Sequence, residues 1–289
     1  MNRIESIMKR KSKKKILIPL LLLLGLLAFL YQQNNMISIT RISIESEQLP
    51  EAFNGYKIVH LSDLHGKAFG KKQKYLVEKI KKAKPDLIVF TGDLIDSRRY
   101  KEEASIELMK QLIPVADIYY VNGNHEAGSG NFPSLEKQLL DVGVKVLRNT
   151  AEIIEVNGEM IYIIGLDDPL FGYAIDRTFV SSEGMLDHIT NGLQEDGFKI
   201  LLSHRPELFH LYIENDINVT FSGHAHGGQI RLPFIGGLVA PGQGILPQYT
   251  EGVYTEGNSN LVVSRGLGNS LFPQRLFNRP EIIVVQLMK

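Results

Sequence analysis

Residues 86–126 read DLIVFTGDLIDSRRYKEEASIELMKQLIPVADIYYVNGNHE. An apolar run over Asp86–Thr91 ends in Gly92-Asp93, a helix-periodic stretch follows over Glu102–Leu112, and a second apolar run, Ile118–Val121, ends in Asn122-Gly123-Asn124-His125-Glu126. Strand, helix and strand in that order predict two parallel neighbours in one sheet. Both strands end in side chains able to hold a metal. Gly92 and Gly123 supply the backbone freedom that a sharp turn directly after a strand requires.

The pattern repeats on either side of this stretch. Ile58-Val59-His60-Leu61 leads into Ser62-Asp63-Leu64-His65, Leu201-Leu202 into Ser203-His204, and Val219–Phe221 into Ser222-Gly223-His224-Ala225-His226. In open α/β sheets ligands gather at the carboxyl ends of the strands, so five such ends predict one shared pocket. Imidazole together with carboxylate suits Mn, Zn or Fe better than Ca or Mg alone. Asp63-x-His65 and His224-x-His226 put paired donors on a tight backbone, and a single carboxylate, Asp93, is able to bridge two dications. Two such ions grip both the attacking and the leaving oxygens of an in-line displacement and attract an anionic phosphoryl group. Each pair alone is a weak signal; five in order, each behind an apolar strand, carry the inference together.

The N-terminus points to a membrane. Residues 1–15 hold seven cations and one anion, and Ile16–Tyr31 is an unbroken apolar run. A basic flank stays in the cytoplasm, which predicts a single-pass anchor with everything after residue 36 outside the cell. A cleaved signal peptide is the rival reading. Phe29, Leu30 and Tyr31 oppose it, because they leave no small-x-small cleavage site. The chain therefore divides into a basic N-terminus with its anchor, 1–36, and a catalytic domain, 37–289. With seven of 32 cations and one of 32 anions in the first fifteen residues, the remainder is mildly acidic. This argues against a nucleic-acid partner, which needs a cationic face. The absence of cysteine excludes disulfides, thiolate metal sites and thiol nucleophiles.

Further strands are expected at 37–46, 57–61, 144–147, 153–156, 160–165, 199–203, 219–222, 261–264 and 282–286, and helices at 72–83, 133–141, 183–190 and 206–212. The later strands lie close together and are expected to pair antiparallel. Pro233–Gln248, rich in Gly, Pro and Gln, reads as an extended loop. Leu232–Leu246 carries Phe234, Ile235, Leu238, Val239, Ile245 and Leu246 near His226. It is either a core-packing loop or an apolar lip that meets membrane or an acyl chain. His60 reads as packed core or as support behind the ligands, His188 and His210 as surface, Asp167-Asp168-Pro169 as a turn rather than part of the pocket lining, and Glu126 as a helix-start carboxylate.

In these motifs the chain resembles the calcineurin-like metallophosphoesterases, whose pattern is D-x-H, G-D-x-x-D, G-N-H-[DE], a later His, and G-H-x-H. Here the pattern stands as Asp63-Leu-His65, Gly92-Asp93-Leu-Ile-Asp96, Gly123-Asn124-His125-Glu126, His204, and Gly223-His224-Ala-His226, within a match running from about residue 55 to the C-terminus. The resemblance implies an α/β sandwich of two mixed β-sheets flanked by helices, here with an N-terminal transmembrane helix. It also implies two divalent metal ions (Mn, Zn or Fe), one held by Asp63, His65, Asp93 and His226 and the other by Asp93, Asn124, His204 and His224. His125 would protonate or stabilise the leaving oxygen, and Asp96 would hydrogen-bond His125 and fix its tautomer. Ser97 stands where the protein-phosphatase branch has Arg, which argues against phosphoprotein substrates. Gly-Gly-Gln after His226, Ser264–Gly268 and Asn278–Glu281 look like the membrane-anchored bacterial, YkuE-like branch, with its relatives among the UDP-diacylglucosamine hydrolases. The implied activity is hydrolysis of a phosphodiester or pyrophosphate bond in a phosphate-containing small molecule or lipid. The alternative is a catalytically silent metal- or lipid-binding cell-surface protein, which the intact set of seven ligand positions disfavours. Oligomeric state is left open.

Overall fold

The computed structural model describes residues 2–176, 181–270 and 272–289. The chain opens with helix α1 (Asn2–Asn35), strand β1 (Ser38–Glu45) and strand β2 (Lys57–Leu61). It continues through α2 (Lys74–Ala83), β3 (Leu87–Thr91), α3 (Glu103–Leu112), β4 (Asp117–Val121), α4 (Asn124–Ser129), α5 (Phe132–Asp141) and β5 (Lys145–Val146). The second half holds β6 (Thr150–Val156), β7 (Glu159–Leu166), α6 (Pro169–Asp176), α7 (Ser182–Thr190), β8 (Lys199–Ser203), α8 (Phe209–Glu214) and β9 (Val219–Ser222). Four two-residue strands follow, β10 (Arg231–Leu232), β11 (Gly236–Gly237), β12 (Val239–Ala240) and β13 (Gly244–Ile245), then β14 (Gly252–Glu256), β15 (Ser259–Val263) and β16 (Glu281–Met288).

Two six-stranded sheets result, in the orders β1-β16-β2-β3-β4-β5 and β14-β15-β9-β8-β7-β6. They pack face to face, with helices outside each. The period-2 alternation of side chains in a strand sorts the core into layers. Ile58, Val89, Tyr119, Ile163, Leu202 and Phe221 fill the space between the sheets. Val59, Phe90 and Tyr120 turn instead toward α2, α3 and α5, and Leu201 and Val263 toward α7 and α8. This is the expected sandwich of two mixed sheets flanked by helices.

Two expectations need correction. The later strands are antiparallel at β6–β7 and β14–β15, but β7, β8, β9 and β15 run parallel. Helices α7 and α8 carry the chain back between β7, β8 and β9, as a parallel connection requires. The segment 233–248 is not a structureless loop. It continues from β10 into two small hairpins, β10–β11 and β12–β13, with reversals that use positive φ at Gly236, Gly242 and Gly244. Phe234, Ile235, Ile245 and Leu246 on these hairpins are exposed rather than packed into the core.

Helix α1 contains a 19-residue stretch, Leu17–Asn35, long and apolar enough to cross a membrane and with 6% of it buried. Its last turns rest on the body of the protein: Asn34 Nδ2 donates to Pro273 O (3.0 Å), and Arg275 N donates to Asn34 Oδ1 (2.7 Å).

Candidate metal centre

The carboxyl ends of β2, β3, β4, β8 and β9 meet at one end of the sandwich, and each delivers part of one buried cluster. Asp63, His65, Asp93 and His226 offer ligand atoms all within 4.8 Å of one another, as do Asp93, His204 and His224. Asp93 is common to both groups. Its Oδ2 lies 3.7 Å from His65 Nε2 and 3.4 Å from His204 Nε2. Asn124, at the start of α4, brings Oδ1 to 3.2 Å from His204 Nε2. All seven residues expected from the sequence as ligands thus stand together.

The backbone that presents them is strained. Asp63, His65, Asp93, His224 and His226 all have φ between 49° and 64°. Non-glycine residues rarely adopt this region, and each instance costs on the order of 1–3 kcal/mol. Surrounding contacts hold the strain in place. Asp93 Oδ1 accepts from His125 N at 2.8 Å, and Asp63 accepts from His224 N at 3.2 Å. Glycine is needed where the strand ends crowd. A Cβ on Gly92, at φ +83°, would lie 2.7 Å from Gly123 N and from His204 Nδ1, and one on Gly223 would collide with Ser62 and Asp63.

The electrostatics favour cations here. Burial lifts the Asp63 carboxyl to about 7, with the charge of Asp93 adding to the effect. Burial opposes charge on Asp93 too, but His204, His65 and His125 around it hold it well below the ordinary carboxylate range. His204 is lifted to about 10 by Asp93 and Asp63 in spite of its burial, so in the bare protein a proton on His204 offsets the carboxylates. Burial drives His65 down to about 4 and His224 and His226 well below the usual imidazole value. The His65 and His226 rings stack, while His224 meets the protonated His204 edge to face. His65 Nε2 is 3.1 Å from His226 Nε2, and His204 Nε2 is 3.2 Å from His224 Nδ1. Buried carboxylates and converging imidazole lone pairs form a donor set that fits two divalent cations.

His125 stands beside this cluster with its ring against His65, at a centroid distance of 4.6 Å. Ser97 N donates to His125 Nδ1 at 3.0 Å. That leaves the proton of the neutral ring on Nε2, the atom facing Asp93 Oδ2 at 3.9 Å. Asp96 Oδ1 lies 3.3 Å from the same Nδ1 and also accepts from Arg98 N and Nε. Asp96 is therefore placed to balance a doubly protonated ring, while the tautomer of the neutral ring is set by the Ser97 amide.

Several contributors escaped sequence reasoning. Glu126 does more than begin a helix: its carboxylate accepts from Gly123 N (2.7 Å), Asp93 N (2.8 Å) and Ile95 N (3.1 Å), tying two ligand loops together. Asp168 is no simple turn residue. Buried, it grips Arg205 through Nε (2.6 Å) and Nη2 (3.1 Å), and Arg205 Nη1 reaches His224 Nε2 at 3.1 Å. Asn278 Nδ2 donates to His226 O at 2.7 Å. For Arg205 the available signal was its position directly after His204; Asp168 and Asn278 act across long sequence separations that leave no local pattern. His60 is core as expected, bonding Thr91 Oγ1 at 2.8 Å, and His188 and His210 are exposed.

Comparison with known proteins agrees with this geometry. The model of the calcineurin-like phosphoesterase family matches residues 56–228. The chain is 36% identical over 263 residues to the uncharacterized metallophosphoesterase YkuE of Bacillus subtilis (strain 168), covering 89% of this chain and 87% of that one. It is 29% identical over 276 residues to YkoQ of the same organism, also an uncharacterized metallophosphoesterase, covering 92% and 97%. It is 26% identical over 239 residues to the phosphodiesterase YaeI of Escherichia coli (strain K12), covering 81% and 82%.

Proposed function

The chain belongs to the calcineurin-like phosphoesterase family, as a metal-dependent phosphoester hydrolase, and from that premise we propose that it cleaves a phosphodiester or pyrophosphate bond in a membrane-resident, lipid-linked substrate. The observation that carries the reading is the shared carboxylate: Asp93 belongs to both ligand groups, so two cations held there would lie close together. Asp63, His65, Asp93 and His226 would hold one, and Asp93, Asn124, His204 and His224 the other. Mn, Zn and Fe match the donor chemistry. When bound, the pair supplies positive charge to both oxygens of an in-line displacement at phosphorus and lowers the pKa of water.

The remaining work falls to the chain's own groups. The Ser97 amide keeps the N–H of the neutral His125 ring on Nε2, directed at the site, where it can donate a hydrogen bond to a departing oxygen; only the doubly protonated ring can pass that proton on. Asp96, beside Nδ1, balances the charge on the ring whenever both its nitrogens carry protons. Glu126 fixes the loops that carry Asp93 and Asn124. Support for a lipid-linked substrate comes from two features: a helix able to span a membrane, and exposed apolar side chains on the hairpins that follow His226. In this reading α1 is a single-pass anchor and the catalytic domain lies outside the cytoplasm, as the basic flank directs.

The test uses the full-length protein in detergent, loaded in turn with Mn, Zn, Fe or Mg, with bis-p-nitrophenyl phosphate and a lipid-linked pyrophosphate as substrates. His125→Ala should lower kcat by about 10²–10⁴-fold while metal content stays near that of the parent, whereas Asp93→Asn should lose both metal and turnover. Full metal occupancy with no hydrolysis of either substrate would refute the reading.

A further inference from the structure

The end of α1 does not hang free from the catalytic body. Gln274 Nε2 donates to Leu30 O (3.0 Å) and Arg275 N to Asn34 Oδ1 (2.7 Å). Lys67 Nζ donates to Asn34 O from a position two residues beyond His65. The rings of Phe29 and Phe277 pack at a centroid distance of 5.5 Å. An apolar span leaves the bilayer where its side chains turn polar, and here that is Gln32–Asn35. The segment clasped to Asn34 is thereby held at the membrane surface. Phe29 lies five residues deeper, about 7 Å along a helix axis, and Phe277 packs against it.

The hairpins flank this same segment. Ile230 bridges Leu276 in parallel, and Arg231 N donates to Leu276 O at 3.1 Å. From that shared base, β10–β11 projects Phe234, fully exposed, and Ile235, while β12–β13 projects Ile245 and Leu246, also exposed. Exposed apolar side chains gathered on one face of a soluble body mark an interaction surface. Continuity with a membrane helix identifies what covers this one.

We propose that the catalytic body rests on the bilayer through a second contact, an apolar fringe of Phe234, Ile235, Ile245, Leu246 and Phe277 inserted at the acyl boundary. Elements of this kind bury about 5–10 Å into the interface. A cleft of about 420 Å³, lined by Asp96, Arg98, Arg99, Asn269, Ser270 and Pro273, runs from the residue beside His125 to the residue bound by Asn34. The fringe sets the mouth of that cleft at headgroup depth. The inference rests on reading α1 as a membrane span, and its test separates the two.

The chain contains no tryptophan, so a single introduced one reports its own surroundings. Four full-length variants, Leu22→Trp, Phe234→Trp, Ile245→Trp and Ile153→Trp, would be reconstituted in phosphatidylcholine–phosphatidylglycerol vesicles with and without acyl-brominated lipid. Ile153 is exposed on β6 beside Asp86 and Asp117, at the end of the sandwich opposite the site. The fringe reporters should lose emission to brominated lipid and shift to shorter wavelength, as Leu22→Trp does, while Ile153→Trp stays unquenched. Quenching at Leu22→Trp with none at either fringe position would overturn the fringe and leave the anchor standing. Fringe reporters shielded from acrylamide yet unquenched by lipid would assign the surface to a second copy of the chain and equally overturn it. No quenching at any position would refute both readings.

Discussion

Asp93 shows how much one residue can be asked to do. It is buried at a strained φ, shared between two ligand groups, and fixed by the His125 amide and the Glu126 carboxylate. His60, which bonds Thr91 two residues before Asp93, carries a different cost. Burial holds His60 down to about 3 from 6.5, so it stays neutral in the fold while the unfolded chain takes up a proton. Between those values the unfolded state binds more protons, and stability falls as pH falls. Above 6.5 His60 brings no penalty; at pH 5 it costs about 2 kcal/mol. Urea unfolding at pH 7 and pH 5 should show that His60→Gln reduces the acid-induced loss by about that amount. An unchanged loss would mean that His60 is solvated. At this scale the cluster was readable because metal-ligand chemistry requires particular side chains: the seven candidate ligands, His125 and Asp96 all converge. Ser97 and Glu126 were not read in these roles, because one acts through its backbone amide and the other by accepting backbone amides.

Among the elements, those with a strong period were read to within one or two residues: β2, β3, β8 and β9 from their apolar runs, α3 and α5 from their helical faces. Those missed are α4, α6, β10–β13 and β14, and most of them are too short to carry a period of their own. Helix α4 is six residues beginning with Asn124 and His125, a sequence selected for ligands rather than for a buried face. Strands β10–β13 are two residues each and rich in glycine. Strand β1 was read correctly and yields a test of where the catalytic domain begins. It adds a full eight-residue ladder to β16 and buries Ile44, while Ile37 just before it is also buried. A chain beginning at residue 37 should melt within a few degrees of the parent. One beginning at residue 46 loses about 4 kcal/mol of apolar burial and should melt about 10 °C lower. Equal melting of the two in scanning calorimetry would show that β1 is an ornament of the sheet.

For the molecule as a whole, the site exists only where two sheets meet: Asp63, Asp93 and Asn124 come from the first, and His204, His224 and His226 from the second. Cations held between them would therefore clasp the sandwich. At free metal about 1,000-fold above Kd the expected stabilisation is about 4 kcal/mol, or about 10 °C at this size. Dialysis against a chelator should remove it, and Asp93→Asn should melt at the chelated temperature with or without metal. A melting point indifferent to metal would rule out the shared site. What the sequence concealed at this scale was long-range pairing. Nothing local in Glu281–Met288 says that this last strand lies between β1 and β2. That placement has a consequence during synthesis. Once β2 has left the ribosome, roughly 220 residues must still be translated before its neighbour β16 arrives, about ten to forty seconds at ordinary elongation rates. Until then the hydrophobic edge of a nascent half-sheet stays open, with no neighbour in its own chain to cover it.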